Sequence, residues 1–258
     1  MSNEAACKRR NFLKQAASLG ALAMLPATTI FASPLITNTN KDCDGFTFLF
    51  QGDSITDGNR TRDKDWNHVM GHGYQYIIAS KLWYDFPSKG FHFFNRGISG
   101  NKVPDLAARW QTDTIDIQPN LLSILVGIND VDALMHGDKY FTAGQFEQDY
   151  RQLLQQTKQA LPDTQLVIGE PFILPVGRIK ERWDEYSAEM KQRRVIAKKL
   201  SKEFNAVFVE FQTAFDKALS KAPADYWIWD GIHPMPAGHE LMAREWTKQV
   251  SRKLKFIR

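Results

Sequence analysis

Five short apolar runs recur along the chain, at residues 46–51, 91–95, 121–126, 165–169 and 206–210, each bounded by turn-forming residues. Runs of this length, rich in Phe, Leu, Ile and Val, predict buried strands. Between them the period changes. Phe146, Tyr150, Leu153, Leu154 and Thr157 fall at i, i+4, i+7, i+8 and i+11, apolar but for the last, and Pro162 closes the segment. Ile196, Leu200 and Phe204 repeat at four, as do Met242, Trp246, Val250 and Leu254 near the C-terminus. These spacings predict helices with one buried face. Strands alternating with helices require right-handed crossovers, so the sheet is expected to be parallel and covered on both faces. The pattern predicts a three-layer α/β/α domain with a five-stranded parallel sheet over residues 44–258. In such sheets ligands bind beyond the carboxyl ends of the strands, so the chemistry is sought there.

Composition narrows the class. With 258 residues, 43% hydrophobic and 24% charged, the chain is neither collagen-like nor disordered, and long enough for a substantial core. The net charge of +4 suggests a polyanion partner, but three of those charges come from Lys8, Arg9, Arg10 and Lys14 against Glu4. The body of the protein is nearly neutral, so no nucleic-acid partner is expected. Lys8-Arg9-Arg10-Asn11-Phe12-Leu13-Lys14, followed by a mild apolar stretch to Ala32, resembles a twin-arginine export signal. Ser18, Gly20, Pro26, Thr28 and Thr29 interrupt that stretch, which makes it a poor membrane span, although an uncleaved anchor helix is the alternative. Residues 33–43 read as a leader into the domain. The expectation is an exported protein, periplasmic or secreted, that meets the membrane only during export. Cys7 and Cys43 are the only cysteines, so no disulfide framework holds the fold.

Each strand end carries polar residues with two readings. After the first comes Gly52-Asp53-Ser54-Ile55-Thr56-Asp57, where Ser54 could be a nucleophile at a strand-to-helix turn or a helix cap. The G-x-S-x-G elbow of α/β-hydrolases is not found anywhere in the chain. After the second comes Asn95-Arg96-Gly97-Ile98-Ser99-Gly100-Asn101, a tight turn with exposed backbone N–H groups or an ordinary loop. After the third comes Gly127-Ile128-Asn129-Asp130, where the Asn129 amide could donate to an oxyanion or merely shape a turn. Near the C-terminus, Asp230 stands three residues before His233. A turn between them would bring the carboxylate to Nδ1 and leave Nε2 to accept a proton from a serine. Of the six histidines, only His68, after Asp65, and His233 have an acid at this spacing. No His/Cys/Asp/Glu set around His233 completes a metal site, so no metal is expected.

Taken in order, these four blocks resemble those of the SGNH hydrolases, also called GDSL esterases and lipases, across nearly all the chain after the signal. Gly97-Ile98-Ser99-Gly100-Asn101, Arg109-Trp110, Gly127-Ile128-Asn129-Asp130-Val131 and Trp229-Asp230 further resemble the bacterial acetylxylan esterases. The resemblance implies a flavodoxin-like SGNH hydrolase fold and double displacement at a short-chain ester. Ser54 would attack, His233 would act as base, and Asp230 would orient it. The backbone N–H groups of Ser54 and Gly97 and the Asn129 amide would bind the oxyanion. No cofactor is implied, and the expected substrate is an acetylated plant polysaccharide or oligosaccharide such as xylan. A lysophospholipase or thioesterase with a longer acyl group, or a non-catalytic sugar-binding relative, are the alternatives. The oligomeric state is left open.

The remaining conspicuous residues have plainer readings. Trp227 and Trp229 could wall the site or pack in the core. Trp66, His68 and His72 lie in a long loop after Ser54. Lys191, Arg193, Arg194, Lys198, Lys199 and Lys202 are expected on the solvated face of a helix.

Overall fold

The computed structural model describes residues 45–63 and 67–257. The expected export signal and leader, with Cys7 and Cys43, lie outside the described residues, as do Asp65 and Trp66. In chain order the elements are β1 (Thr47–Gly52), α1 (Ser54–Asp57), α2 (Tyr74–Asp85), β2 (His92–Asn95), α3 (Val103–Ala108), β3 (Leu121–Leu125) and α4 (Ile128–Met135). They continue with α5 (Ala143–Ala160), β4 (Gln165–Gly169), α6 (Trp183–Glu203), β5 (Val207–Val209), α7 (Phe211–Ala218), α8 (Ala224–Trp227) and α9 (Pro236–Val250). All five strands pair in parallel, in the order β2-β1-β3-β4-β5. The order reverses between β1 and β3, and the ends of these two strands carry Ser54 and Asn129. That switch point is where an open parallel sheet leaves a crevice for a ligand.

The alternation of side chains explains why both faces are covered. Phe48 and Phe50 of β1, with Leu121 and Leu125 of β3, join a core that includes Tyr74, Ile78 and Leu82 of α2 and Met242 and Trp246 of α9. Leu49, Leu122, Ile124, Leu166 and Ile168 point the other way, onto Leu106 of α3, Leu153 and Leu154 of α5 and Leu200 of α6. Fully burying a Leu, Ile or Phe contributes about 1.5–3 kcal/mol, so these two layers dominate the stability. The polar residue on the buried β3 face, Ser123, accepts a hydrogen bond from Trp246 Nε1 at 3.0 Å. It is therefore not an unpaired group in the core.

The helices follow their sequence periods with two instructive departures. Thr157, the polar member of the α5 stripe, is buried because its hydroxyl accepts from Trp110 Nε1 at 2.9 Å and donates to the Leu153 carbonyl at 2.7 Å. The cationic run on α6 is only partly solvated. Lys191, Lys198, Lys199 and Lys202 are exposed, but Arg193 is fully buried and Arg194 half-buried. The expectation for these two arginines is corrected by their partners. Arg193 pairs with Glu189 one turn back, donates to the Phe141 carbonyl at 2.5 Å, and lies over the Phe146 ring at 5.9 Å. Arg194 donates to Gln212 Oε1 at 3.0 Å. A buried guanidinium is tolerated when it is paired and hydrogen-bonded, as here. The last helix ends at Val250, one step short of the Leu254 that the spacing includes.

Candidate active site

Ser54 follows β1 after one intervening residue, Asp53, and opens the single turn of α1. Asp53 is the cap of that turn, its carboxylate accepting from the Ile55 N–H at 3.0 Å. Ser54 itself is therefore not the cap, and its hydroxyl is free for another partner. That partner is His233, whose Nε2 lies 2.8 Å from Ser54 Oγ across 179 residues of chain.

The Asp-x-x-His spacing does two jobs at once. Asp230 Oδ1 accepts from the backbone N–H groups of Ile232 (3.0 Å) and His233 (2.7 Å), which folds the chain into a tight turn. The other oxygen, Oδ2, meets His233 Nδ1 at 2.7 Å. Bridging bonds from Trp229 N to His233 O (3.2 Å) and from Met235 N to Trp227 O (2.8 Å) close this loop between α8 and α9. Burial pushes the Asp230 carboxyl up, but the bonds from the His233 ring and the two N–H groups outweigh it and hold the group at about 2. Asp230 is thus ionised at neutral pH and accepts from Nδ1–H. That fixes the tautomer in which Nε2 is the acceptor for the Ser54 hydroxyl.

The opposite side of the crevice corrects one expectation. The Gly97 N–H does not face the site unpaired; it donates to Asn95 Oδ1 at 2.9 Å. Gly97 is there for close approach, since a Cβ would come within 2.4 Å of the Asp57 backbone nitrogen. Asn95, buried at the end of β2, also donates to the carbonyls of Thr56 (2.7 Å), Asp57 (3.0 Å) and Met70 (3.0 Å). It ties the second loop to the turn carrying Ser54, a role that sequence reasoning missed. Gly100, three residues on, has open space beside its α-carbon, and its N–H meets no acceptor among the described residues. The same holds for the Ser54 N–H. Asn129 Nδ2 donates to the Asn101 carbonyl, next to Gly100, at 3.2 Å, and Val103 N donates to Asp130 Oδ1 at 3.2 Å. These two bonds clamp the start of α4 to the loop after Gly100. Arg109 braces that loop from behind, donating to Asn101 Oδ1 (2.9 Å) and the Arg96 carbonyl (2.8 Å).

Buried charge surrounds this frame. Burial pushes Asp53 up to about 7, against the bond from Ile55 and the nearby His233. It does the same to Asp130, against the Val103 N–H and the Arg193 charge. His239 on α9 is pushed down to about 4 by burial, with His72 and His233 adding to the effect. Its Nδ1 accepts from the Tyr74 N–H at 3.1 Å, a bond only the neutral ring makes. His68 and His72 are exposed in the loop before α2, and the Asp65 partner expected for His68 lies outside the described residues. The two tryptophans separate in role. Trp227 packs against the core and donates to the Ala222 carbonyl at 3.2 Å. Trp229 is 61% exposed, its ring 24° from the plane of His233 and 6.4 Å away. Among the described residues no group of three or more His, Cys, Asp or Glu side chains is placed to hold a metal ion.

Fold and site together define the class: a hydrolase-type flavodoxin-like parallel sheet with Ser54, His233 and Asp230 in one hydrogen-bond line at its switch point. The chain belongs to the GDSL-like Lipase/Acylhydrolase family, whose model matches residues 50–241. It is 32% identical over 212 residues to an acetylxylan esterase of Geobacillus stearothermophilus, covering 80% of this chain and 94% of that one. The crystal structure of Axe2, an acetylxylan esterase from the same organism, superposes with a TM-score of 0.71 at 32% identity, over 80% of this chain and 94% of that one. A structure from Parabacteroides merdae, assigned as a GDSL-like lipase, gives a TM-score of 0.77 at 42% identity, over 81% and 96% of the two chains. LAE5, an alpha/beta hydrolase from a lake metagenome, gives 0.72 at 28% identity, over 81% and 96%. This protein is accordingly an acyl esterase of the GDSL kind.

Proposed function

We propose that the protein removes acetyl groups from acetylated carbohydrate, xylo-oligosaccharides foremost, with Ser54 as nucleophile. The observation that carries the chemistry is the unbroken hydrogen-bond line from Asp230 through His233 to Ser54 Oγ. Ser54 Oγ attacks the ester carbonyl while His233 Nε2 takes its proton, and the Asp230 carboxylate stabilises the imidazolium. The tetrahedral oxyanion is received by the N–H groups of Ser54 and Gly100 and by the second amide hydrogen of Asn129. The imidazolium returns its proton to the departing sugar oxygen, leaving an acetyl-serine. Water, deprotonated by His233, then releases acetate and restores Ser54. Solved structures of catalytic variants of Axe2 replace a serine and an aspartate, which supports the same division of labour here.

The substrate reading rests on two supports: the acetylxylan esterase relative, and Trp229. Its exposed ring beside His233 offers a flat apolar wall of the kind that packs against a sugar face. The test is acetate release from acetylated xylan, pectin and mannan, beside a p-nitrophenyl ester series from acetate to dodecanoate. The reading expects acetate to be preferred among the simple esters and xylan fragments among the carbohydrates. Preference for long acyl chains would replace it with a lipase-type activity, and failure of a fluorophosphonate to label Ser54 would sink the mechanism.

We propose further that residues 1–32 direct export through the twin-arginine route, supported by Arg9-Arg10 ahead of Phe12-Leu13-Lys14. Changing both arginines to lysine should leave the precursor in the cytoplasm. Unimpaired export of that variant would overturn the assignment.

A further inference from the structure

The turn Gly177–Arg182 runs behind the loop carrying Asp230, with Gly177 close against the Asp230 backbone and Ile179 against Gly231, and Arg178 brings the charge. The Arg178 backbone N–H donates to the Asp230 carbonyl at 3.1 Å. Its guanidinium lies between two carboxylates and bonds to neither: Nε is 3.6 Å from Asp230 Oδ2, and one terminal nitrogen is 3.9 Å from Asp132 Oδ2. Asp230 Oδ2 is the oxygen that holds His233 Nδ1, so the cation stands one carboxylate away from the imidazole. Asp132 belongs to α4, three residues after Asn129, and its other oxygen accepts from Tyr186 OH at 2.7 Å. Arg178 thus acts through charge rather than through a hydrogen bond. Its side chain is 48% exposed, so solvent weakens that charge without cancelling it.

The other groups facing the pair are few. Asp53 and His239 of α9 interact with His233 through charge, and His72 of the loop before α2 interacts with His239. His239 is neutral at and above neutral pH and Asp53 holds its proton below about 7, so Asp132 and Arg178 set the field around the Asp230–His233 pair on the acid limb. Tyr186, the exposed Arg182 and His136, whose Nδ1 is 3.9 Å from Asp132 Oδ2, complete the surroundings of Asp132.

We propose that Arg178 is a positioning residue that sets the pH at which the Asp230–His233 pair becomes a working base, its cation being shared between Asp230 and Asp132. The inference rests on the catalytic roles proposed above for Asp230 and His233. A cation beside Asp230 opposes the imidazolium that the carboxylate would otherwise favour, and so extends the active, neutral form of His233 toward lower pH. Asp132 works in the opposite sense twice over: its own charge favours the imidazolium, and it draws Arg178 away from Asp230. The two residues form a balance whose arms can be removed separately.

The experiment is the pH profile of kcat/KM on p-nitrophenyl acetate, a neutral ester, for wild type, Arg178→Gln, Arg178→Lys and Asp132→Asn. Arg178→Gln should move the acid limb to higher pH, by roughly half a unit for a half-exposed charge at this range. Asp132→Asn should move it to lower pH, and Arg178→Lys should stay near wild type. At about 1 M salt the displacement between Arg178→Gln and wild type should shrink. An acid limb unmoved in Arg178→Gln, or moved in the same direction by both neutralising variants, would overturn the proposal. So would a rise in KM with an unmoved limb, which would make Arg178 a substrate contact. Arg178 lies on the surface, so its arm stands even where Asp132→Asn disturbs Tyr186 and α4. His233→Ala is run alongside; full activity there would defeat the triad reading itself rather than the role of Arg178.

Discussion

The two sides of the crevice are built by opposite means. On the triad side, residues 228–235 make their own geometry: Asp230 captures the N–H groups two and three residues ahead and the ring of the residue three ahead. On the oxyanion side, residues 95–101 are shaped from outside, by Asn95 reaching Thr56, Asp57 and Met70 and by Arg109 reaching Arg96 and Asn101. A self-made turn carries its chemistry in its own spacing. An imposed loop takes its shape from distant partners, and within it the Gly97 N–H is paired with Asn95 Oδ1 while the Gly100 N–H meets no acceptor among the described residues.

The sharpest way to break this comparison is at the triad. His233→Ala should lower kcat by about 10⁴-fold or more, and Asp230→Asn nearly as far, because an amide no longer fixes the Nδ1–H tautomer. Steady-state kinetics on folded variants decide it. On the other side, Asn129→Ala should lower kcat by about 10² to 10³-fold, roughly 2.7–4 kcal/mol, with little change in KM. Asn129→Asp should be worse, since a carboxylate would repel the oxyanion; near-normal turnover in that variant would reduce Asn129 to a turn residue. Asn95→Ala probes the imposed loop without touching the substrate. It strips partners from three carbonyls and the Gly97 N–H, and should cost about 2–4 kcal/mol in urea unfolding. The smallest effect is expected far from the site, where Thr157→Val leaves the buried Trp110 N–H without its acceptor, at about 1–2 kcal/mol. A Thr157→Val protein as stable as wild type would show that α5 relaxes to offer another acceptor.

The same contrast explains what was legible in the sequence. The five strands, the α5 stripe and the Asp230–His233 turn depend on residues a few positions apart, and spacing reveals them. Ser54 was legible because it stands at a strand end, although only the structure shows that Asp53 is the cap and leaves the serine hydroxyl free. Arg193 was misplaced because a periodic run of cations looks solvated until Glu189, Phe141 and Phe146 are seen around it. Gly97 and Gly100 are both glycines in one turn, and only the partner of each N–H separates them. Asn95 carried a weak signal, an amide side chain at the end of a buried strand. Its three carbonyl partners lie 25 to 39 residues away and leave no local trace.

The acids and the histidine sealed beneath the site also decide how the protein trades protons with solvent when it folds. Asp53 and Asp130 are raised from about 3.8 to about 7, so between those values the folded chain holds protons that the unfolded chain has released. Their contribution to stability is present at low pH and is lost as pH rises through that window. His239, lowered from 6.5 to about 4, does the reverse: the unfolded chain holds its proton, and stability is lost as pH falls through the same range. Near pH 5.5 these three groups should therefore take up close to two protons on folding and return close to one, a net uptake of about one from them. Calorimetric unfolding at that pH, in buffers of different ionisation enthalpy, would show apparent enthalpies that differ accordingly. Asp130→Asn should bring them together, and enthalpies that vary with buffer in the opposite sense in the unaltered protein would mean that both carboxyls ionise in the fold and only His239 exchanges a proton. A structure that looks static at its catalytic end is, on this account, a reservoir of protons filled at the moment the chain closes over it.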